Sequence, residues 1–279
     1  LEDLRISNGR LAGFDTAGTG RIEAGPLVLA TGHSARDVYH MLGRTGVRME
    51  LKGFAMGVRV EHPQELIDHI QYHGQKRVAG VPPAVYRLVA RTGSRGVYSF
   101  CMCPGGFMVP SATTGEEVVV NGMSPWKRNS PWANSGIVVE IGEKDIPHTD
   151  RHGALAGLRF QENLEKESWY RGGRTQQAPA QRLTDFVNGR HSGNLPASSY
   201  FPGLKVSPLH EWLPGIIGDA LRLGFRFFDT RMRGFLTSEA LVAGVESRTS
   251  SPLRISRDPV SFCSVSCQGL FPCGEGAGY

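Results

Sequence analysis

Several stretches of this sequence carry residue types and spacings suited to chemistry. The last eleven residues, Gly269-Leu270-Phe271-Pro272-Cys273-Gly274-Glu275-Gly276-Ala277-Gly278-Tyr279, take an apolar run into glycines at every second position. Glycine lacks a Cβ and reaches φ > 0 freely, so such a backbone can approach a ligand closely. A row of exposed N–H groups in that kind of turn suits an oxyanion or phosphate, above all where a helix begins just beyond it. Glu275 suits a ligand hydroxyl or the cap of the following helix. That helix would lie past residue 279, so the sequence is read as an internal piece of a longer chain.

Three further stretches join it. Thr31-Gly32 ends the apolar run Pro26-Leu27-Val28-Leu29-Ala30, and in open α/β sheets ligands sit beyond the carboxyl ends of strands. Cys101-x-Cys103 admits three readings: a redox dithiol, a pair of metal ligands, or small side chains in a strand. Strand alternation would place both thiols on one face, with Met102 opposite. Structural zinc sites show C-x₂₋₄-C pairs with a matching second pair, and Cys263-x₃-Cys267 has no such match. No metal site is therefore expected. Arg248-Thr249-Ser250-Ser251 sets a cation before three hydroxyls, a donor set that suits a carboxylate or other developing negative charge. The nine histidines show no H-E-x-x-H or comparable ligand spacing. His33, beside Thr31-Gly32, is the one histidine near a suspected site, and it reads as a surface or capping residue before a site residue. No G-x-S-x-G elbow supports a serine hydrolase.

The elements that must position these residues follow from pattern. Asn8-Gly9 between Leu4-Arg5-Ile6 and Leu11-Ala12-Gly13-Phe14 predicts a tight hairpin, and Ala17–Gly20 a second turn. The continuous run at 26–30 predicts a strand buried on both faces. A helix over Ala35–Arg44 follows, with Ser34 placed to cap it. Phe54, Met56, Val58 and Val60 alternate as in a half-buried strand, and Pro63 starts a helix carrying Leu66, Ile67 and Ile70. Strands are expected near 85–90, 96–102, 107–110, 118–121 and 137–141, as an antiparallel sheet or small barrel. Trp126 and Trp132 lie in the loop between the last two, where they either cover a substrate or, as such residues more often do, pack the loop. Residues 146–235 read as helical, with Ala154–Arg171 stopping at Gly172-Gly173. Pro214 opens a helix bearing Ile216, Ile217, Ala220 and Leu221, and Phe225, Phe228 and Met232 sit on a further short one. Residues 189–208 read as loop, and strands return at 240–246 and 253–257.

Bulk properties narrow the class. The 279 residues suffice for two domains, with 40% apolar and 20% charged residues and 36 glycines. The net charge of +5 comes from scattered basic residues, unlike the clustered Lys/Arg of a nucleic-acid surface. No apolar stretch nears the roughly 20 residues of a membrane span. Five cysteines without a framework fit a reducing compartment, so a cytoplasmic location is expected.

Residues 27–32 resemble the second nucleotide-domain motif of FAD-dependent dehydrogenases. Met56–Gln64, Tyr98–Gly106, Val120–Ser124, Ala178–Gln181, Gly244–Pro252 and Pro272–Tyr279 are similar to segments of a largely uncharacterised bacterial family of such enzymes. The resemblance implies an α/β fold: a split, Rossmann-like FAD-binding domain (1–50 and 236–279) with an inserted substrate domain, β-rich over 51–145 and helical over 146–235. It implies FAD contacts from Thr31, Gly32, Gly274, Glu275, Gly276, Ala277 and Gly278. Cys101, Cys103 and Arg248 become the catalytic candidates, Arg248 facing a substrate carboxylate or the charge of a reduced flavin. The implied reaction moves a hydride or electrons between the flavin and a small-molecule substrate, with an unassigned electron donor or acceptor. The family's Gly-rich pyrophosphate motif and its acidic ribose ligand are absent, which predicts weak FAD affinity for this piece alone and leaves a non-catalytic partner-binding module as the alternative.

Overall fold

The computed structural model describes residues 1–23, 25–147 and 149–277. It divides into two compact units, one of residues 1–54, 141–161 and 250–279, the other of residues 55–140 and 162–249.

The smaller unit opens with β1 (Asp3–Ser7), β2 (Arg10–Thr16) and β3 (Gly20–Glu23), an antiparallel meander. Asn8 and Gly9 take φ of 49° and 71° and join Ser7 to its partner Arg10, the left-handed pair that a two-residue hairpin requires. Next come β4 (Leu27–Leu29), α1 (Arg36–Arg44) and β5 (Met49–Leu51). Only one face of β4 is covered: Leu29 is buried, whereas Val28 is 63% exposed. The both-faces expectation fails because the packing layer lies on one side, where Leu29 meets Val38, Tyr39, Met41 and Leu42 of α1 in a single apolar cluster with Leu253 and Leu270. Ser34 does not cap α1 through its side chain; its carbonyl accepts from the Arg36 amide (3.0 Å).

The larger unit is built on β6 (Phe54–Pro63), with α2 (Gln64–Gln71), β7 (Val89–Thr92), β8 (Arg95–Cys103), β9 (Phe107–Pro110), β10 (Val120–Met123) and β11 (Trp132–Ile141) following. After the short α3 (Thr149–His152) come α4 (Ala156–Arg171), β12 (Ala178–Arg182), α5 (Leu183–Asn188), β13 (Leu204–Val206), α6 (Leu209–Trp212), α7 (Gly215–Arg231) and β14 (Leu241–Glu246). Seven strands form one sheet in the order β13-β12-β14-β6-β11-β8-β7, antiparallel except for β12 with β13. β6 is central, and its alternation does not mark a solvent face, because Arg59, Glu61 and His62 are buried as fully as Met56 and Val58. Gly57 allows the close pairing, since a Cβ there would stand 2.0 Å from the Ile137 carbonyl oxygen.

β15 (Leu253–Ile255) pairs antiparallel with β5, and β16 (Leu270–Pro272) pairs parallel with β4. The unit boundaries depart from the sequence expectation in three places, the first being residues 51–54, which belong to the smaller unit. Residues 236–249 belong to the larger unit because β14 lies between β12 and β6, and residues 141–161 belong to the smaller one. Among the described residues no helix is long and apolar enough to cross a membrane.

Candidate functional site

In the smaller unit the parallel pair β4 and β16 sets Leu27 beside Leu270 and Leu29 beside Pro272. The Cys273 amide donates to the Leu29 carbonyl (3.0 Å), so the pairing holds to the point where both chains turn. Thr31-Gly32 and Gly274-Glu275-Gly276 follow at once, and the two stretches singled out from sequence share one rim. Gly32 and Gly274 turn there at φ of 76° and 72°, and a Cβ on either would meet nothing within 4 Å. The rim is therefore open and free of side chains, with its backbone exposed at Thr31, Gly32 and Gly274.

Behind the rim the packing is tight. Gly276 is buried, and a Cβ there would stand 2.6 Å from the Tyr39 hydroxyl. Burial raises the Tyr39 phenol above its ordinary pKa, and the nearby Glu275 carboxylate adds to that against a contact with Ser251. Glu275 is fixed from two sides: His33 Nδ1 lies 2.8 Å from one carboxylate oxygen, and the Ser251 amide donates to the other at 3.1 Å. His33 thus meets the rim through Glu275. A carboxylate held by two donors keeps lone pairs for ligand hydroxyls. It repels phosphate at the same spot, so Glu275 suits a polyol. Ala277 is buried beside it, and Gly278 lies outside the described residues.

The catalytic candidates lie in the larger unit. Cys101 has φ of 45°, where β8 bulges against β11 between the pairs Phe100–Gly136 and Cys103–Asn134. The extra residue breaks the alternation, so the thiols do not share a face: Cys101 is exposed and Cys103 buried. Beneath them lies Arg59, wholly buried at the sheet centre. Its guanidinium donates to Glu246 (2.8 Å), Asn134 (2.7 Å) and the Cys101 carbonyl (2.8 Å), and it reaches Cys103 Sγ at 3.4 Å. Gly122 leaves room for it, since a Cβ there would stand 2.1 Å from Arg59 Nη2. Burial raises the Glu246 carboxyl above its usual range, against the pull of Arg59. The Cys101 thiol is also raised, by burial first, with Arg59 opposing.

Arg248 does not face outward as the sequence suggested. Its guanidinium is buried between two carboxylates, Glu117 and Glu165, each at 2.9 Å, and donates to Thr113 as well (2.9 Å). Burial alone would lower its pKa, but the hydrogen bonds and charges of Glu165 and Glu117 raise it on balance. The cation is neutralised within the unit and is not presented to a substrate carboxylate. The hydroxyls after it are also turned inward, Thr249 to the Ala55 carbonyl (2.7 Å) and Ser251 to the Leu253 carbonyl (2.6 Å).

Two features had no sequence signal. A polar cleft of about 840 Å³ in the larger unit is lined by Gln64, Asp68, His69, Lys76, Arg77 and Trp132 among others. Trp132 thus borders a cleft and does not pack a loop, and Trp126 is 99% exposed. His191, His210 and Glu211 also converge. Gln181 Nε2 lies 2.6 Å from the Arg190 carbonyl and 2.8 Å from His210 Nδ1. It must donate to the carbonyl, so Nδ1 accepts and the proton of neutral His210 sits on Nε2, toward Glu211. The trio presents protons to the carboxylate, not lone pairs to a cation.

A family described as "FAD-dependent protein, C-terminal domain-like" matches residues 53–249. The chain belongs to this family. An uncharacterised protein of Clostridium beijerinckii is 40% identical over 283 residues, covering 100% of this chain and 52% of its relative, so the chain spans about half the length of that protein. The matched residues coincide closely with the larger unit and take in α4 in full. The rim of the smaller unit lies outside the match, so its fit to FAD rests on its own geometry. The open glycine turns and the anchored Glu275 fit the hydroxylated chain between flavin ring and phosphate; they offer no cation to the pyrophosphate.

Proposed function

We propose that this chain is part of a flavin-dependent oxidoreductase, with the β4/β16 rim holding the ribityl portion of FAD and the larger unit serving a small-molecule substrate. The observation that carries this reading is the parallel pairing of β4 with β16, which brings two glycine turns and a fixed carboxylate to one edge. Bound FAD supplies the hydride or electron transfer. The chain's own residues then do simpler work. Gly32 and Gly274 keep side chains out of the way, Glu275 accepts from a ligand hydroxyl, and His33 with the Ser251 amide holds that carboxylate in place. Gly276 seats the turn against Tyr39.

In the larger unit we assign Arg59 and Arg248 to positioning, since both guanidiniums are fully engaged by buried partners. Cys101 is the thiol that a substrate can reach. Its raised pKa keeps it protonated at neutral pH, so it lines a site or supplies a proton, and it does not act as a standing thiolate. Five unpaired cysteines agree with a reducing compartment, and we place the protein in the cytoplasm.

The test is the chromophore. Protein purified with its neighbouring segments should be yellow and release FAD on denaturation, identified by mass. A colourless protein that also fails to take up added FAD removes the proposal.

A further inference from the structure

The smaller unit contains a second cleft, of about 510 Å³, lined by Arg48, Glu50, Arg254, Arg257 and Phe262 with Val265. It brings three guanidinium groups together with one carboxylate. β5 and β15 set Glu50 opposite Arg254, and that pair closes at 2.7 Å, with Arg48 more distant at 3.8 Å. Glu50 also accepts from Ser256 (3.0 Å). Arg257 has no carboxylate partner among the described residues; it donates to the Pro272 carbonyl (2.7 Å) and lies over the Phe262 ring, 5.2 Å from its centre. The cleft therefore carries an excess of positive charge beside an aromatic face.

That aromatic face is held in place. Phe262 has φ of 59°, a left-handed conformation that is uncommon for a bulky side chain. The turn that imposes it is closed by the Phe262 amide on the Asp258 carbonyl (3.0 Å) and the Asp258 amide on the Cys263 carbonyl (2.9 Å). The Asp258 carboxylate takes the Ser261 amide at 2.7 Å and the Val260 amide at 3.1 Å. The turn holds a phenyl ring 54% exposed, with Val260 at 85%. Core packing does not account for it, since the ring faces solvent. Guanidinium groups bind phosphate bidentately and stack on planar rings, and an aromatic face accepts a base by stacking.

We propose that this cleft binds a phosphorylated purine nucleotide, the base against Phe262 and Arg257 and a phosphate on Arg48 and on Nη1 of Arg254, whose Nε and Nη2 are held by Glu50. The cleft abuts the glycine rim, since Ala277 also lines it and Arg257 donates to the Pro272 carbonyl, but its charge and its aromatic face stand independently of the flavin reading. For a redox protein the same chemistry is offered by the 2′-phosphoadenosine end of a nicotinamide dinucleotide phosphate, and equally by a nucleoside diphosphate.

Calorimetric titration of the purified protein, with and without added FAD, decides it. Saturable binding of 2′,5′-ADP or of ADP is expected, weakening as salt is raised, with adenosine and inorganic phosphate each at least tenfold weaker. Preference for 2′,5′-ADP assigns the dinucleotide phosphate, and preference for ADP the nucleoside diphosphate; either upholds the site. The exposed changes Arg254→Gln and Arg48→Gln should each weaken binding about tenfold, the scale of a lost charge-assisted hydrogen bond. Phe262→Asn, which tolerates the same backbone, should weaken it without lowering the melting temperature. Equal affinity for inorganic phosphate, unchanged binding in all three variants, or complete displacement by FAD would overturn the assignment.

Discussion

His62 offers a quantitative test of how the larger unit is held together. It lies at the end of the central strand β6, wholly buried, with Nε2 2.8 Å from the Phe235 carbonyl and its ring 4.4 Å from the Phe235 ring. Nδ1 has no partner. Burial pushes its pKa from 6.5 down to about 4, with the Phe235 carbonyl opposing. The unfolded chain thus binds a proton near pH 6.5 that the folded chain refuses until about pH 4. Stability from this residue is complete above pH 6.5 and is lost as pH falls toward 4. At about 1.4 kcal/mol per pH unit, that interval is worth about 3 kcal/mol. Glu61 and Glu246, raised chiefly by burial, act with the opposite sign, losing stability as pH rises through their elevated values. They are common to wild type and variant and cancel in the difference. In His62→Gln the amide can still donate to Phe235 but does not titrate. Urea unfolding from pH 7 to pH 5 should show wild type losing about 2 kcal/mol more than the variant across that range. Parallel pH profiles would refute the account of a buried, neutral imidazole.

Other outcomes follow from the same contacts. Gly276→Val should abolish flavin retention, measured by absorbance after gel filtration, and cost about 1–3 kcal/mol through collision with Tyr39. Gly122→Ala drives a Cβ into Arg59 and Asn134; separating the buried Arg59–Glu246 pair should cost about 3–5 kcal/mol in chemical denaturation. Arg248→Gln strands Glu117 and Glu165 in the interior and should destabilise by a similar amount, about 3–5 kcal/mol, with soluble expression as the first readout. Cys101 should alkylate before Cys103 in mass-spectrometric mapping, with a rate that rises at higher pH than for an ordinary exposed thiol.

Local signals in the sequence were enough for much of this fold. Asn8-Gly9 dictated its hairpin, and the apolar runs at 27–29 and 270–272 sat at the edges that pair in space. What failed was information held by partners distant in sequence. Alternation around Arg59 and Glu61 suggests a wet face, but Glu246 and Asn134 neutralise Arg59, while Ser198 and Ser199 satisfy Glu61. β12 contains Pro179, which argues against a strand inside a sheet, yet it pairs on both sides. The sequence places Phe225, Phe228 and Met232 on a second helix after the one opened by Pro214, with Gly224 between the two apolar sets. In α7 it is continuous helix, and the missing side chain admits Val97, which a Cβ would meet at 2.7 Å. The glycine turns that follow β4 and β16 were legible because glycines are local features. The burial of Arg248 was not, because Glu117 and Glu165 lie far away in sequence.

The chain passes between its two units at 54–55, 140–141, 161–162 and 249–250, and this routing has a consequence during synthesis. β4 leaves the ribosome about 240 residues before β16, the strand it pairs with. At roughly 5–20 residues per second that wait lasts on the order of ten seconds or more. For that interval the edge of β4 that β16 will cover lies bare, an invitation to aggregation. The larger unit has all its strands once residue 249 is out, so translation itself orders the two: the big sheet can close before the glycine rim forms.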